Sequence, residues 1–337
     1  MTPPRDLYGP WLLPAVNLYP MSITESDRLF IAGHRGMAGS AIMRRLKSER
    51  CTLLVADRSE VDLCDRTAVE KFFQEQRPTG VIFAAAKVGG IQANLTYPAD
   101  FLLQNVMMAS NVIDAAFRFS VRRLLYLGSN CIYPRDCEQP IRESSLLTGP
   151  LEKTNEAYAL AKIVGLKLCE SYRIQHGVCF HSLMPTNLYG PGDNYHRENS
   201  HVLPALIRKI HEAKDSDSET VTIWGTGAAR REFLHTDDLA DAVHFTFGLD
   251  DPPDWVNVGT GMDLSILSLA KLIAKVVGFE GEILTDPGRP EGTPVKCNEM
   301  SRLHELGWRH QIDLEDGLRM TYQSFLSDLE AGSLRSF

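Results

Sequence analysis

Tyr158 and Lys162 stand four residues apart in the stretch Tyr158-Ala159-Leu160-Ala161-Lys162. On a helix that spacing puts both side chains on one face, one turn apart. An ammonium near a phenol favours the phenolate, so the lysine is expected to lower the tyrosine pKa. A tyrosine tuned in that way can give a proton to a carbonyl that is being reduced. Alone, the pair also fits an ordinary solvated helix face. A hydroxyl upstream sharpens it. Ser129 follows the apolar run Leu124-Leu125-Tyr126-Leu127, within Gly128-Ser129-Asn130-Cys131-Ile132-Tyr133-Pro134. In a parallel sheet, ligands sit beyond the carboxyl ends of the strands. The Ser129 hydroxyl is therefore expected where Tyr158 and Lys162 point, able to hydrogen-bond a substrate carbonyl.

Reduction needs a hydride source. The apolar run Leu29-Phe30-Ile31-Ala32 leads directly into Gly33-His34-Arg35-Gly36-Met37-Ala38-Gly39. Gly33, Gly36 and Gly39 permit a tight turn, close approach of backbone to a pyrophosphate and close helix packing. The helix that follows offers its N-terminal N–H groups to the phosphates. The spacing is G-x-x-G-x-x-G, and the strand–turn–helix context is what makes it a dinucleotide site rather than a plain glycine turn. After the second strand an acidic residue selects NAD and an arginine selects NADP. This chain has Asp57 followed by Arg58, and Arg35 in the glycine turn adds a second cation for a 2′-phosphate. Two arginines against one aspartate favour NADPH.

These residues need elements to hold them. Short apolar runs alternate with amphipathic stretches from Leu29 to Leu183. Strands are expected at Leu29–Ala32, Thr52–Ala56, Val81–Ala85, Leu124–Leu127 and Val178–Leu183, with helices over Met37–Lys47, Pro98–Phe119 and Asn155–Gln175. Strand–helix alternation means a parallel sheet with right-handed crossovers. Strands that are apolar throughout are covered on both faces. The fold class is α/β: a Rossmann-type doubly wound parallel sheet with a smaller α/β C-terminal substrate-binding domain. Past Pro185, Gly, Pro, Asn and His cluster as loop chemistry. The expected division is an N-terminal extension over 1–27, a cofactor-binding domain over 28–185, and a mainly substrate-binding domain over 186–330 with some elements returning to the sheet.

Composition excludes several classes. The chain has 337 residues, 44% hydrophobic and 23% charged, ordinary for a soluble enzyme. Its net charge of −8 and the lack of a basic run give no nucleic-acid footprint. No apolar run approaches the ~18 residues of a membrane span. The seven cysteines are irregularly spaced without C-x-x-C, which points to a reducing, cytoplasmic setting and no disulfide framework or metal site. Residues 1–27 carry five prolines, and Pro14 breaks the short Trp11-Leu12-Leu13 run, so this extension reads as poorly ordered and not as a signal peptide.

Ser129, Tyr158 and Lys162 in this order behind a glycine-rich turn resemble the short-chain dehydrogenase/reductase superfamily, and the length resembles its extended, nucleotide-sugar branch. Longer motifs narrow this. Gly33-His34-Arg35-Gly36-Met37, Ala84-Ala85-Ala86-Lys87-Val88-Gly89-Gly90-Ile91 and Met184-Pro185-Thr186-Asn187-Leu188-Tyr189-Gly190-Pro191 resemble the GDP-L-fucose synthase family. So do Asn199-Ser200-His201-Val202 and Arg231-Glu232-Phe233, and the likeness runs from about Arg28 to Leu326. It implies epimerisation of GDP-4-keto-6-deoxy-D-mannose at C3 and C5, then reduction at C4 with NADPH, to give GDP-L-fucose.

Epimerisation beside a ketone needs a base on one face, an acid on the other and a stabilised enolate, here from Tyr158 and Ser129. Cys131, two residues beyond Ser129, is the candidate base if a cation lowers its pKa; the bland reading is an inert buried thiol. His201 is the candidate acid; the bland reading is a satisfied surface histidine. The resemblance assigns both to function, and Cys137, past Pro134, is expected off the site. By position in the matching motifs it implies NADPH contacts from Gly33, Arg35, Gly36, Met37 and Gly39. Further contacts are implied for Arg58, Asp62, Leu63, Leu127, Gly128 and Asn130. Lys162, Pro185, Asn187, Leu188 and His201 complete that set. Lys209, Trp224 and Arg231 are the implied substrate-binding residues. Asn130 stands where the family often has serine, which is expected to alter a cofactor hydrogen bond. A homodimer is implied through the helices Pro98–Phe119 and Asn155–Gln175, with Met107, Met108, Ile163 and Leu166 as the surplus apolar residues. The competing readings are a nucleotide-sugar 4-epimerase or 4,6-dehydratase, which would not need Cys131 and His201, and a non-catalytic dinucleotide sensor, which commonly lacks the Tyr or Lys.

Overall fold

The computed structural model describes residues 23–197, 199–289 and 292–335. Residues 1–22 of the expected extension lie outside them. Its last residues are tied down: the buried Asp27 carboxylate accepts from Thr24 N at 2.9 Å and Thr79 Oγ1 at 2.8 Å and pairs with Arg122.

The first part of the chain runs β1 (Arg28–Ala32), α1 (Met37–Leu46), β2 (Thr52–Leu54), α2 (Arg66–Gln76), β3 (Gly80–Phe83), α3 (Ile91–Thr96), α4 (Pro98–Arg118), β4 (Arg123–Leu127), α5 (Glu156–His176) and β5 (Cys179–Pro185). The second part runs β6 (Asn187–Tyr189), α6 (Val202–Asp215), β7 (Thr220–Trp224), β8 (Arg230–His235), α7 (Thr236–Phe247) and β9 (Trp255–Val258). It ends with β10 (Asp263–Ser265), α8 (Ile266–Val277), β11 (Glu282–Asp286), β12 (Val295–Lys296), α9 (Ser301–Glu305) and α10 (Leu314–Glu330).

A parallel sheet in the order β2-β1-β3-β4-β5-β9 forms the centre. The chain reverses its winding direction between β1 and β3, which opens the crevice where such sheets bind ligands. Alternate residues of each strand serve opposite faces. Leu29, Ile31, Ile82 and Leu125 meet Ile42 and Leu46 of α1 and Leu239 and Val243 of α7. Phe30, Val81, Phe83 and Leu124 meet Val69 and Phe73 of α2, Val112 and Ala116 of α4 and Cys169 of α5. Each fully buried large side chain contributes about 1.5–3 kcal/mol. Thus α7 and β9, although late in the chain, complete the first sheet.

The Tyr126 ring of β4 lies directly against Gly165 of α5. A Cβ at Gly165 would stand 2.4 Å from Tyr126 Cζ, so only glycine allows that approach. The approach sets Lys162, one turn earlier, over Tyr126 and the end of β4. The second lobe packs α6, α8 and α10 around β7, through Ile207, Val221, Leu269, Ile273 and Phe325. Strand β8 bridges the lobes: β10 and β12 flank it, and β6, which continues almost directly from β5, pairs with it.

The surplus apolar residues on α4 and α5 differ from expectation. Ile163 and Leu166 are buried in this chain's own core, and Met108 packs partly against the sheet. Of the expected four, Met107 is exposed, and it is joined by Leu102, Leu103, Leu160 and Val164.

Candidate active site

The carboxyl ends of β1, β3, β4 and β5 converge. Gly33, at φ +89°, sits so close to the loop after β3 that a Cβ there would fall 2.6 Å from Ala85 N. Its carbonyl accepts from Gly36 N at 2.9 Å, closing the turn. Gly36 caps α1 without a side-chain hydrogen bond. The first-turn N–H groups from Met37 onward are therefore left to an outside acceptor, which suits a pyrophosphate. The glycine turn fits a dinucleotide.

Beyond it, Arg35 reaches Asp57: Nη2 to Oδ2 is 2.5 Å. Arg58 leans on Asp62 at 3.6 Å. Asp62 Oδ1 also accepts from Cys64 N at 3.0 Å, and the Leu63 carbonyl accepts from Asn111 Nδ2 at 3.0 Å. Gly128 N donates to the Leu183 carbonyl at 2.8 Å, holding the loop after β4 against β5.

Ser129, Cys131, Tyr158 and Lys162 gather at the end of β4. Ser129 Oγ accepts from Cys131 N at 3.3 Å and starts a short 3-10 turn, Asn130–Ile132. Cys131 packs with Ala159 and Ile163 of α5, and Tyr158 packs against that cluster. Lys162 Nζ donates to the Leu127 carbonyl at 2.6 Å and lies 4.9 Å from the Tyr126 ring centre and 5.7 Å from that of Tyr158.

The electrostatics correct one expectation. Burial pushes the Tyr158 phenol well up, and the charge on Cys131 adds to the rise. Burial likewise draws the Lys162 ammonium down to about 8, opposed by Cys131. Desolvation of the phenolate sets this direction, and the ammonium stands nearly 6 Å from the ring centre, so Tyr158 keeps its proton. Burial raises the Cys131 thiol too, while Lys296, the Ser129 hydroxyl and Lys162 pull it down. The cation required for a thiolate is present, yet burial wins in the resting site.

Lys296 carries no signal in the sequence that singles it out. It stands on β12 opposite Arg231 of β8. Burial lowers its ammonium, and Cys131 is the largest opposing influence. Cys137, expected off the site, packs against the Cys131 cluster, and its charge acts on Lys296 as well. Pro134 turns the chain without carrying it away.

His201 arrives on another loop. Gly90 N donates to the Asn199 carbonyl at 2.9 Å, and a Cβ on Gly90 would meet the Ser200 carbonyl at 2.7 Å. That contact docks the segment before α6 onto the loop after β3. His201 caps α6 and stays open to solvent, yet the protein around its ring lowers the imidazolium pKa by desolvation.

Other expected residues point elsewhere. The Asn130 side chain is buried and donates to Thr186 Oγ1 at 3.3 Å and Asn298 Oδ1 at 3.1 Å. Both hydrogens of its amide are thus committed to a protein network. Asn187 Nδ2 is committed to the Glu232 carbonyl at 2.8 Å, and Leu188 packs partly into the first core, just after Pro185 ends β5.

Trp224 on β7 is half exposed, with the Arg289 guanidinium 5.3 Å from its ring centre. Lys209 of α6 donates to the Thr222 carbonyl on the same strand. Arg231 is partly buried and its Nη1 donates to the Arg230 carbonyl at 2.7 Å. Arg289 escapes a reading of the sequence because a lone arginine beside Gly288 looks like loop surface.

Comparison with known proteins adds to the geometry. The NAD dependent epimerase/dehydratase family matches residues 29–259. A GDP-L-fucose synthase of Sinorhizobium fredii is 51% identical over 310 residues, covering 92% of this chain and 99% of that protein. A GDP-L-fucose synthase of Escherichia coli is 52% identical over 314 residues, covering 90% and 98%. The solved structure of a GDP-L-fucose synthetase from Naegleria fowleri bound to NADP superposes with a TM-score of 0.86 at 29% identity, covering 93% of this chain and 97% of that one.

Proposed function

The chain belongs to the NAD dependent epimerase/dehydratase family and, within it, to the GDP-L-fucose synthases, and on that premise we propose how its residues divide the work. The function is conversion of GDP-4-keto-6-deoxy-D-mannose to GDP-L-fucose by an NADPH-dependent oxidoreductase that also epimerises C3 and C5. The observation that carries this reading is the grouping of Ser129, Cys131, Tyr158 and Lys162 at the end of β4, in the same sheet as the glycine turn.

NADPH, when bound, supplies the hydride for C4. The turn Gly33 to Gly39 and the start of α1 would hold its diphosphate, and Arg35 and Arg58 would face its 2′-phosphate. Lys162, anchored at the Leu127 carbonyl, would hold its ribose hydroxyls. The Ser129 hydroxyl orients the substrate carbonyl. Tyr158, kept protonated by burial, donates first a hydrogen bond to the enolate oxygen and later its proton to the reduced oxygen.

Cys131 removes the proton alpha to the ketone. Lys296 and Lys162 stabilise the thiolate that this requires. His201 returns a proton from the opposite face. Lys209 and Arg231 bind the diphosphate, and Trp224 offers a face to the nucleobase. On this reading 28–185 mainly holds the cofactor and 186–330 mainly holds the sugar nucleotide.

Two finer statements belong to the same proposal. The chain forms a two-fold homodimer through α4 and α5, whose exposed Leu102, Leu103, Met107, Leu160 and Val164 form an apolar face. The enzyme is cytoplasmic, supported by cysteines that are all unpaired. Among the described residues, no helix is long and apolar enough to cross a membrane.

The test is incubation of purified protein with GDP-4-keto-6-deoxy-D-mannose and NADPH. Consumption of NADPH with appearance of GDP-L-fucose is expected. Turnover of neither would overturn the reading.

A further inference from the structure

Glu232 is fully buried on β8, yet its carboxylate is met by backbone N–H groups instead of a cation. Oε1 accepts from Thr260 N at 2.6 Å and Gly261 N at 2.7 Å, and Oε2 accepts from Asn298 N at 2.7 Å. The fit is close: a Cβ on Gly259 would stand 2.1 Å from Oε1. Burial raises this carboxyl above its ordinary value, and the hydrogen bonds from Asn298, Gly261 and Thr260 oppose that rise without cancelling it.

The network continues without a gap. Asn298 Nδ2 donates to the Met184 carbonyl of β5 at 3.2 Å and to the Val258 carbonyl of β9 at 3.3 Å. Its Oδ1 accepts from Asn130 Nδ2, whose other hydrogen goes to Thr186 Oγ1. Thr186 Oγ1 in turn donates to the Glu232 carbonyl at 3.3 Å. Each amide hydrogen of Asn130 and Asn298 has one acceptor, so the ring is closed. A fully satisfied buried network specifies one arrangement, since any shift orphans a member.

What it joins is the point. Asn130 lies between Ser129 and Cys131. Glu232 follows Arg231, and Asn298 lies two residues beyond Lys296, the register partner of Arg231. We propose that Glu232 is a positioning residue, which through Asn298 and Asn130 holds the Ser129–Cys131 loop in register with Arg231 and Lys296 of the substrate lobe. Strands alternate their faces, so Glu232 turns into the network while Arg231 turns to the opposite face. Its place in catalysis rests on the function proposed above; its place in holding the loop does not.

Two variants test it. Glu232→Gln keeps the shape but sets an amide N–H₂ against either Asn298 N or the Thr260–Gly261 pair. Asn298→Ala leaves the Asn298 N–H on Glu232 and cuts the arm to Asn130, so it serves if the first variant folds poorly. Amide hydrogen exchange in peptides covering residues 128–133 should rise about tenfold or more in both, with β1 unchanged, because the lost link is local. Solvent deuterium incorporation into the epimerised carbons should fall about ten- to a hundredfold, with NADPH affinity kept, as expected for small misplacement of reacting groups. Unchanged exchange at 128–133 in a folded variant would overturn the proposal. So would a loss of turnover that merely tracks the loss of folded protein. Wild-type protein that shows no turnover would sink the functional reading instead, and the amide exchange would still decide the positioning role.

Discussion

Arg35 Nη2 lies 2.5 Å from Asp57 Oδ2, and His34 Nε2 lies 3.5 Å from the other oxygen of the same carboxylate. The sequence sets Asp57 and the arginines against each other as rival selectors of NAD and NADP. The structure joins them. A carboxylate alone at the end of β2 would repel a 2′-phosphate, and Arg35 cancels that charge at contact distance. Arg35 is 77% exposed, so the pair adds little to stability. On the proposed function, its effect is on which ligand the site accepts.

Arg35→Ala should therefore raise KM for NADPH about tenfold, the equivalent of one charged hydrogen bond, with little change for NADH. The melting temperature should stay within a degree or two, as for other exposed ion pairs (roughly 0–1 kcal/mol). Initial rates with each cofactor measure this. Equal losses with both would show that Asp57 and Arg35 do not govern the choice.

A second expectation follows from Lys162, whose ammonium burial draws down to about 8 from an ordinary value near 10.5. Below about 8 the folded protein carries the charge and its full burial cost. Between about 8 and 10.5 the unfolded chain still binds the proton and the folded one does not, so this residue's contribution to stability becomes less unfavourable as pH rises. Activity runs the other way. On the proposed function, loss of the ammonium removes a donor from the cofactor ribose. The rate of NADPH oxidation should fall above a pH of about 8, and Lys162→Arg, which keeps its charge, should flatten that limb. An alkaline limb at the same pH in Lys162→Arg would assign it to another group.

The strands are legible in the sequence because β1, β3 and β4 are largely apolar on both faces, and the glycine turn because it directly follows β1. Helix α2 is not. Its signal, the Asp65 cap on Thr67 N at 2.8 Å and Ala68 N at 3.2 Å followed by the apolar stripe Val69, Phe72 and Phe73, spans little more than one turn amid charged residues. Ser129, Cys131, Tyr158 and Lys162 are legible since they fall in two neighbouring places, the loop after β4 and the start of α5. Lys296 and Glu232 are harder. Their roles depend on β12 and β8 pairing across a long sequence separation, and nothing local marks a two-residue strand. The direction of the Tyr158 shift is hidden for a related reason: spacing gives the distance to a charge but not the depth of burial.

Tyr158 and Cys131 should separate by step. Tyr158→Phe removes one hydroxyl from a half-buried ring and should lower NADPH oxidation about a hundred- to ten-thousandfold, the range for losing a general acid. Cys131→Ala should leave NADPH affinity unchanged, because Cys131 packs on α5 and not on the glycine turn. It should abolish solvent deuterium incorporation at the epimerised carbons. Mass analysis of product formed in deuterium oxide reads both. Normal deuterium uptake in Cys131→Ala would remove it as the base.

The glycines of the turn are not equivalent, and that difference can be measured. A Cβ on Gly39 would stand 2.1 Å from the Gly33 carbonyl oxygen, 2.7 Å from its carbon and 2.9 Å from His34 Cα. These are backbone atoms, so no side-chain rotation relieves the contact. The start of α1 must move away from the turn, taking with it the N–H groups aimed at the phosphates. Gly36 differs: its nearest contact would be the Gly33 oxygen at 3.3 Å, and its φ of −70° suits any residue. Gly39→Ala should cost about 1–3 kcal/mol of stability, the usual range for overpacking. It should also weaken NADPH about tenfold or more, as for lost charge-assisted hydrogen bonds. Gly36→Ala should keep wild-type stability, so any NADPH affinity it loses reports its methyl meeting the pyrophosphate and not a displaced helix. Thermal unfolding and fluorescence titration with NADPH give both numbers for each variant. Normal NADPH binding by Gly39→Ala would mean that the turn can open without cost to the phosphate site, and that close helix packing is not what Gly39 provides.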